Sequence, residues 1–516
     1  MTTAGYIGID AGTQGLSVVF TDETMNVLAT GTSDYEMVPD LASGCYEQQP
    51  EDWEKALRSA LQAMRSAVPN NLDAIDVLAI GISGQMHGEV LADQEGRPLG
   101  PVRLWCDARN DDEGNELTDL LGAKMPKRIT AARWLWTIRN HPDRAMATAH
   151  ITTPGGWLAY RLTGEWNLGI GDAAGMFPID QNTLDYDQSM IETFDQLVSD
   201  QPVKPLSDLL PTVRLAGQSG GTLNEWGSEC LGLPVGTLVA PAEGDQPCSL
   251  AGSLIGDAGM VSVSFGTSVC ANSVGDRPFE GVSPAVDHFC APDGKPINMV
   301  WLRNGTTFMN TLVEMFGKAS GMERADAFKT LMAEAINAEP DCGGLLALPF
   351  MDDEPGLGIQ RGGTATVTGL NPDNATAGNK VKAGLLATMF NLRRGSEVLD
   401  QQGFSRTELI LAGGLTQTPE TGQILADVFN TDVRLLDSAT EGSAWGAAML
   451  GRFRHLCEQG GAGDWSEFLT SHAAENDTRF APAPEAVAQY DQVYARYTRL
   501  LEVHAQWEQA LNTETD

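Results

Sequence analysis

Tyr6-Ile7-Gly8-Ile9-Asp10-Ala11-Gly12-Thr13-Gln14-Gly15-Leu16-Ser17-Val18-Val19-Phe20 is the stretch that decides how this chain is read. Tyr6 to Ile9 and Leu16 to Phe20 are short apolar runs with strand character. The turn between them holds glycines, a threonine and a carboxylate. Glycine permits positive φ and close backbone approach, and successive N–H groups in such a turn form an anion-binding concavity. Asp10, at the junction of strand and turn, stands where a magnesium ion is held against phosphates. Alone, the stretch reads as an ordinary β-hairpin, since glycine turns are common.

A second copy changes the balance. Val261-Ser262-Val263-Ser264-Phe265-Gly266-Thr267-Ser268-Val269-Cys270-Ala271-Asn272-Ser273-Val274 is again strand, Gly-Thr turn and strand, and Gly266 lies 254 positions after Gly12 in a chain of 516. Two such units half a chain apart predict two like-folded domains facing across a cleft. Two phosphate loops gripping one polyphosphate make a nucleotide site.

The length suffices for two or three domains with their own cores. Apolar content of 42% and charged content of 20% are those of a globular protein. The net charge of −36 argues against a nucleic-acid partner, which needs a basic face to displace counterions. An anionic substrate must then be met by backbone dipoles, a cation or a few local basic groups. The eight cysteines show no Cys-x-x-Cys or zinc-like spacing. They read as reduced, mostly buried thiols of a cytoplasmic protein. A core-like strand begins by Tyr6, which argues against a signal peptide, and no apolar run is long enough to span a bilayer.

Along the chain, Pro50-Glu51-Asp52-Trp53 opens a helix with Trp53, Ala56, Leu57, Ala60, Leu61, Met64 and Val68 on one face. Ile75 to Ile82 is an apolar strand delivering Gly84-Gln85-Met86-His87-Gly88, and a further strand precedes Trp105-Cys106-Asp107-Ala108-Arg109. The alternation predicts an α/β architecture. Residues 110 to 235 read as a mostly helical insertion that narrows the cleft, with helices over Ala131–Arg139 and Trp157–Leu162. A strand over Pro234–Ala240 ends in Glu243-Gly244-Asp245-Gln246-Pro247, and the domain boundary falls within Gly252–Gly259. The second half predicts a helix from Asn379 to Gln402, strands over Glu408–Ala412 and Val433–Leu436, and helices over Glu420–Phe429 and Glu441–Leu450. The resulting division is 1–254, 255–452 and a helical tail over 453–516. In that tail Tyr490, Val493, Tyr494, Tyr497, Leu500, Leu501 and His504 share one helical face, read as packing.

Asp245 follows a strand end and precedes a helix, so an N-cap is one reading. It also directly precedes the second phosphate hairpin, where a carboxylate can take the proton of a hydroxyl attacking a γ-phosphate. Gln85, Met86 and His87 at a strand's carboxyl end suit a polyhydroxylated ligand, although His87 alone reads equally as a satisfied loop histidine. Trp105, Asp107 and Arg109 add a flat apolar surface and two charges. Gly413-Gly414 leaves room for a flat ring against backbone, or simply opens a helix. The chain has no Gly-x-x-x-x-Gly-Lys-Ser/Thr and no His-Glu-x-x-His, which removes P-loop kinases and zincin proteases.

Taken in order, these motifs resemble those of the FGGY carbohydrate kinases, and among them the xylulose kinases, over residues 5 to 452. Asp10-Ala11-Gly12-Thr13-Gln14-Gly15 and Ser264-Phe265-Gly266-Thr267-Ser268 are similar to that family's two phosphate loops. Gly84-Gln85-Met86-His87-Gly88 resembles the sugar-site motif of xylulose kinases, and Trp105-Cys106-Asp107-Ala108-Arg109 the family's Trp-x-Asp-x-Arg. Asp172-Ala173-Ala174-Gly175 resembles its Ser/Asp-Ala-Ala-Gly segment. Gly244-Asp245 resembles the Gly-Asp whose aspartate is the catalytic base, and Gly413-Gly414 with Gln423–Val428 the adenosine region.

The resemblance implies two actin/ribonuclease-H-like domains of the ASKHA superfamily with an interdomain active-site cleft. It implies ATP and Mg²⁺ as cofactors, a small-molecule sugar substrate, and phosphorylation of D-xylulose to D-xylulose 5-phosphate. In that reading Asp245 is the base and Asp10 the metal ligand. Gln85, Met86, His87, Trp105, Asp107, Arg128, Asp245 and Gln246 meet the sugar. Gly12, Thr13, Gln14, Gly266, Thr267, Gly413, Gly414 and Thr418 meet ATP. No nucleic acid or membrane partner is implied, and the sequence admits a homodimer without specifying one.

Three departures leave the sugar open. Gln246 stands where the family has asparagine, residues 348–354 lack its Gly-Glu-Arg-Thr-Pro, and the adenosine loop reads Gly-Gly-Leu-Thr-Gln. Ribulose, L-xylulose and erythritol are the alternatives, and a non-catalytic sugar-sensing or chaperone-like ATPase is the rival from another class.

Overall fold

The computed structural model describes residues 2–68, 74–436, 442–473 and 477–511. The chain divides into two compact units. One comprises Met1–Gly256, His288–Ile297 and Thr440–Ala473, and the other Asp257–Asp287, Asn298–Ala439 and Ala474–Asp516.

In the first unit the opening stretch forms the expected hairpin, Thr2–Ala11 antiparallel to Gly15–Asp22, with Ile9 opposite Val18. Val27–Asp34 continues the sheet on one side, and Ala74–Gly84 joins Thr2–Ala11 in parallel on the other. Strand alternation sends Ile7 and Ile9 to one face and Tyr6 to the other, into separate apolar clusters. Helices cover both faces. Pro50–Ala67 buries Trp53, Ala56, Leu57, Ala60, Leu61 and Met64 on the Ile7 side, as its 3.6-residue pattern predicts. It comes so close to the sheet that a Cβ on Gly31 would overlap the helix backbone at Ala60 and Met64.

The opposite face is covered by Gly442–Glu458, the small-residue helix expected from Glu441, a residue outside those described. Its Ala444 and Ala447 carbonyls lie where side chains on Gly8 and Gly81 would be, and its Gly446 abuts the Cys248 carbonyl. Backbone-to-backbone contact at these glycines is why the helix is rich in glycine and alanine. The division at 452 drawn from the sequence differs from this arrangement, since residues 440–473 belong with the first unit. The expected tail is shared between the units for the same reason, a packing face that local pattern does not assign to either partner.

The expected helical insertion is present as Asp111–Leu121, Thr130–Asn140, Pro142–Ala147, Pro154–Thr163, Ile170–Ala174, Gln188–Leu197, Leu206–Leu209 and Glu225–Leu231, interleaved with very short strands. Its apolar residues join the Ile7-side core. The strand expected over Pro234–Ala240 contracts to Leu238–Val239. Gly236, at φ 90°, turns the chain there, and Thr237 N–H donates to the Pro234 carbonyl.

The second unit repeats the plan. Met260–Phe265 is antiparallel to Val269–Val274 and parallel to Glu408–Gly413, which is followed in the sheet by Asp432–Leu435. The long helix spans Ala377–Gln401, and Pro484–Glu502 buries Tyr490, Val493, Tyr494 and Tyr497 against this unit's core. The stripe is packing, with the Tyr494 hydroxyl donating to Glu397 at 2.6 Å and the Tyr497 hydroxyl to Asn391.

Gly81→Ala places a methyl on the Ala447 carbonyl, which is backbone and cannot swing aside. It is expected to cost about 3 kcal/mol in urea unfolding. Gly461→Ala, with nothing near its Cβ position, should stay within about 0.5 kcal/mol of the parent.

Candidate active site

Three parallel strand ends build the site of the first unit. Asp10 is registered with Ser83, and Ser83 with Glu243; one residue on, Ala11, Gly84 and Gly244 form the next row. Asp245 follows directly as the first residue of the helix Asp245–Gly252. Residues far apart in sequence thus arrive together at the carboxyl ends of adjacent strands, where α/β sheets bind ligands. The Ser83 hydroxyl donates to Asp10 Oδ1 at 2.7 Å. Burial holds Asp10 above the usual carboxylate range, partly offset by that bond. Burial, reinforced by the Asp10 charge, pushes Asp245 up to about 7 against the pull of nearby backbone N–H groups. A carboxylate balanced near neutrality is a competent proton acceptor at physiological pH.

His87 has φ 68°, an uncommon conformation for a side chain of its size. Its carbonyl accepts from Thr130 Oγ1 at 3.2 Å and Arg133 Nη1 at 3.3 Å, which holds the turn. Its Nδ1 lies 2.8 Å from the Gly175 carbonyl. A carbonyl can only accept, so Nδ1 carries the proton and Nε2 is left as an acceptor. Burial first, then the Arg128 and Arg133 charges, lowers this imidazole to about 3, so it stays neutral. Met86 is buried beside it; side chains on Gly244 or Gly175 would overlap the thioether. Met86 therefore packs His87's turn directly against the residue preceding Asp245.

Other expected contacts are engaged differently. Asp107 is fully buried, pairs with Arg109 Nη2 at 2.6 Å and accepts the Tyr46 N–H at 2.9 Å. Arg109 also pairs with Glu47 at 2.5 Å. Both charges thus serve to hold the loop that carries Trp105. Gln85 is 1% exposed, and both ends of its amide are bonded, to Gln48 at 2.8 Å and to Thr13 at 3.2 Å. Trp105 is 43% exposed, with its indole N–H on Thr13 Oγ1 at 3.0 Å. Gln14 is exposed at the hairpin tip, and Arg128 and Gln246 are half-buried. Gly12 has an open Cβ position apart from the Gly15 carbonyl at 3.4 Å.

Sequence reasoning misses Glu243, and it registers Asp172 only through the resemblance of its segment. Glu243 accepts the N–H groups of Gly171 and Asp172 at 3.2 and 2.9 Å, and Thr153 donates to Asp172 at 2.5 Å. Both are buried and pushed up to about 8, burial being the main cause for each. The short helix they anchor, Ile170–Ala174, ends at the Gly175 carbonyl that orients His87. The spacing Glu243-x-Asp245 was the available signal, hidden because period-2 alternation on a strand end is common. Arg133, whose burial in a helix interior disguised it, is a second omission.

In the second unit, parallel register sets Phe265 beside Gly413. Gly266, Thr267, Gly413 and Gly414 are therefore neighbours, and all four are exposed. Gly413 adopts φ 77°, and a Cβ there would meet the Phe265 carbonyl at 2.6 Å, so only glycine fits. Gly266 is braced from behind, its carbonyl accepting Thr306 N–H and Oγ1, each at 2.8 Å. Thr418 is partly exposed beyond the turn Gly414–Gln417. An exposed, side-chain-free backbone surface of this kind suits phosphate and a flat base.

Among the described residues no group of three or more His, Cys, Asp or Glu side chains is arranged to hold a metal. Asp10 offers one carboxylate with Oδ1 on Ser83, a donor set that fits Mg²⁺ only as the ion arrives with phosphates and waters.

The N-terminal domain of the FGGY family of carbohydrate kinases matches residues 5–252, and the C-terminal domain of that family matches residues 261–454. A xylulose kinase of Haemophilus influenzae is 28% identical over 513 residues, covering 95% of this chain and 98% of that protein. A xylulose kinase of Escherichia coli is 27% identical over 458 residues, covering 86% and 89%. In structure, the xylulose kinase from Rhodospirillum rubrum superposes with a TM-score of 0.82 at 22% identity, covering 98% of this chain and 100% of that one. Each half of the repeated hairpin plan thus falls within one of the two matched domains, and the chain belongs to the FGGY family of carbohydrate kinases, an enzyme that phosphorylates a sugar on a two-domain actin/ribonuclease-H-like fold.

Proposed function

We propose that this enzyme transfers the γ-phosphate of ATP to D-xylulose, giving D-xylulose 5-phosphate and ADP. The observation that carries the reading is the convergence of Asp245, Met86 and His87 on adjoining strand ends, with Asp10 one strand away. The relatives named xylulose kinase support the choice of sugar.

Asp245 accepts the proton of the terminal hydroxyl as its oxygen bonds to phosphorus and the bond to ADP breaks. The transition state is loose, so positioning contributes more than base strength. His87 Nε2 accepts from a second sugar hydroxyl, and the exposed Trp105 face lies against the carbon chain. Asp10 holds Mg²⁺, directly or through water, and the ion supplies neutralisation of phosphate charge. The backbone around Gly12–Gln14 meets phosphate, and Gly266, Thr267, Gly413, Gly414 and Thr418 meet the nucleotide. Asp107 and Gln85 act by fixing the residues that touch the sugar. Eight cysteines without disulfide-framework spacing suit a reducing cytoplasm, and a homodimer is compatible with this chemistry.

ADP release measured against pentuloses, polyols and hexuloses tests the substrate: D-xylulose is expected to give the highest kcat/KM, and preference for ribulose or erythritol reassigns it. Asp245→Asn should lower kcat about 10³-fold with an unfolding midpoint at neutral pH no lower than the parent's, since the amide avoids burying a charge; near-normal turnover removes the base. Protonated Asp245 cannot accept a proton, so kcat/KM should rise with pH through an apparent pKa of about 7, moving lower when a cation sits at Asp10. His87, neutral throughout, adds no second limb. A flat profile from about pH 5.5 to 8 contradicts the assignment.

A further inference from the structure

Gln48, which no motif singled out, is 1% exposed and sits on the two-residue strand Glu47–Gln48, paired antiparallel with Val102–Arg103 just ahead of Trp105. Its amide closes a ring. Gln48 Nε2 donates to the Thr13 carbonyl at 2.7 Å, Thr13 Oγ1 donates to Gln85 Oε1 at 3.2 Å, and Gln85 Nε2 donates to Gln48 Oε1 at 2.8 Å. All three bonds run the same way round, and the two that share the Gln85 amide polarise each other.

The direction of the ring follows from chemistry. Trp53 Nε1 donates to Gln48 Oε1 at 3.1 Å, and Trp105 Nε1 donates to Thr13 Oγ1 at 3.0 Å. Indole N–H groups only donate, so Gln48 Oε1 must be the amide oxygen and Thr13 must send its proton onward. The Thr13 hydroxyl proton is thus committed to Gln85. This side chain is a joint between the hairpin and Trp105, and its partners differ from those expected of a phosphate donor. Trp53 is fully buried in the helix Pro50–Ala67, which ties the ring to the core.

We propose that Gln48 is a positioning residue that locks the Trp105 indole and the phosphate hairpin at Gly12–Gln14 into one unit, so that sugar against Trp105 orders the hairpin and raises nucleotide affinity. The inference rests on the sugar-kinase reading of this site. The Trp105 N–H bond to Thr13 Oγ1 links the indole to the hairpin, and Gln48 holds the Thr13 carbonyl at its other end. Binding linkage is reciprocal, so nucleotide should tighten sugar by the same factor.

The test compares the parent with Gln48→Leu, which roughly keeps the volume and removes all three hydrogen bonds of the amide. Affinity for β,γ-methylene ATP with Mg²⁺ is measured with and without D-xylulose, and amide exchange of residues 10–20 is followed with no ligand present. The parent should bind nucleotide about five-fold tighter with sugar, and the factor should fall to near one in Gln48→Leu. Exchange in the hairpin should quicken about ten-fold while the helix Gly442–Glu458 keeps its protection; a merely structural defect would loosen both. Trp105→Phe, which deletes one N–H at a partly exposed position, should reproduce the loss of coupling if Gln48→Leu does not fold. Retained coupling in a folded variant, or unchanged hairpin exchange, overturns the proposal. Failure of the parent to bind D-xylulose would instead count against the substrate reading, since the exchange measurement needs no sugar.

Discussion

The parallel register that sets Asp10, Ser83 and Glu243 in one row is the constraint on which this site depends. Backbone hydrogen bonds fix that row before any side chain is considered. A slip by one residue would turn the carboxylates to the opposite face of the sheet. The register is itself held by close packing, because the helix Gly442–Glu458 lies on Gly8 and Gly81, and side chains at either position would lift it away. Chemistry at the strand ends and glycine in the strand interiors are therefore parts of one arrangement.

Charge works locally in this molecule. A net charge of −36 would repel ATP at a distance, and the site itself gathers four carboxyl groups, Asp10, Asp172, Glu243 and Asp245. Burial keeps Asp172 and Glu243 protonated near neutrality, with folded values of about 8, and leaves Asp245 near 7. The accumulated negative charge is consequently smaller than the residue count suggests. Under the proposed reading, a divalent cation at Asp10 and a departing hydroxyl proton at Asp245 would meet the charge that remains. His87 complements this by remaining neutral, held so by its burial first and then by the Arg128 and Arg133 charges, which leaves Nε2 as an acceptor and adds no positive charge to the site.

Much of this was legible in the chain. The two Gly-Thr turns declared their strands because alternating and apolar runs flank them, and the second unit repeats the first in strand order as well as in sequence. The helix face from Trp53 to Met64 followed from spacing alone. Trp105 and His87 were found as residue types suited to sugar. Less legible were the partners that decide what those residues do. Asp107 is held by Arg109 and Tyr46, and Thr13 by Gln48, Gln85 and Trp105. Each of these ties except the Asp107–Arg109 pair joins residues separated by tens of positions.

By itself the sequence determined most of the local elements, the glycine turns and the family to which the motifs belong, because those are written within spans of ten to twenty residues. Tertiary structure alone decided that residues 442–473 return to the first unit, that buried Glu243 accepts the Asp172 N–H, and that Gln48 closes a ring with Thr13 and Gln85. The reason is physical. Periodicity records which face of an element is apolar, whereas the identity of the surface that covers it is settled by hydrogen-bond register and by which backbones can approach without a side chain between them.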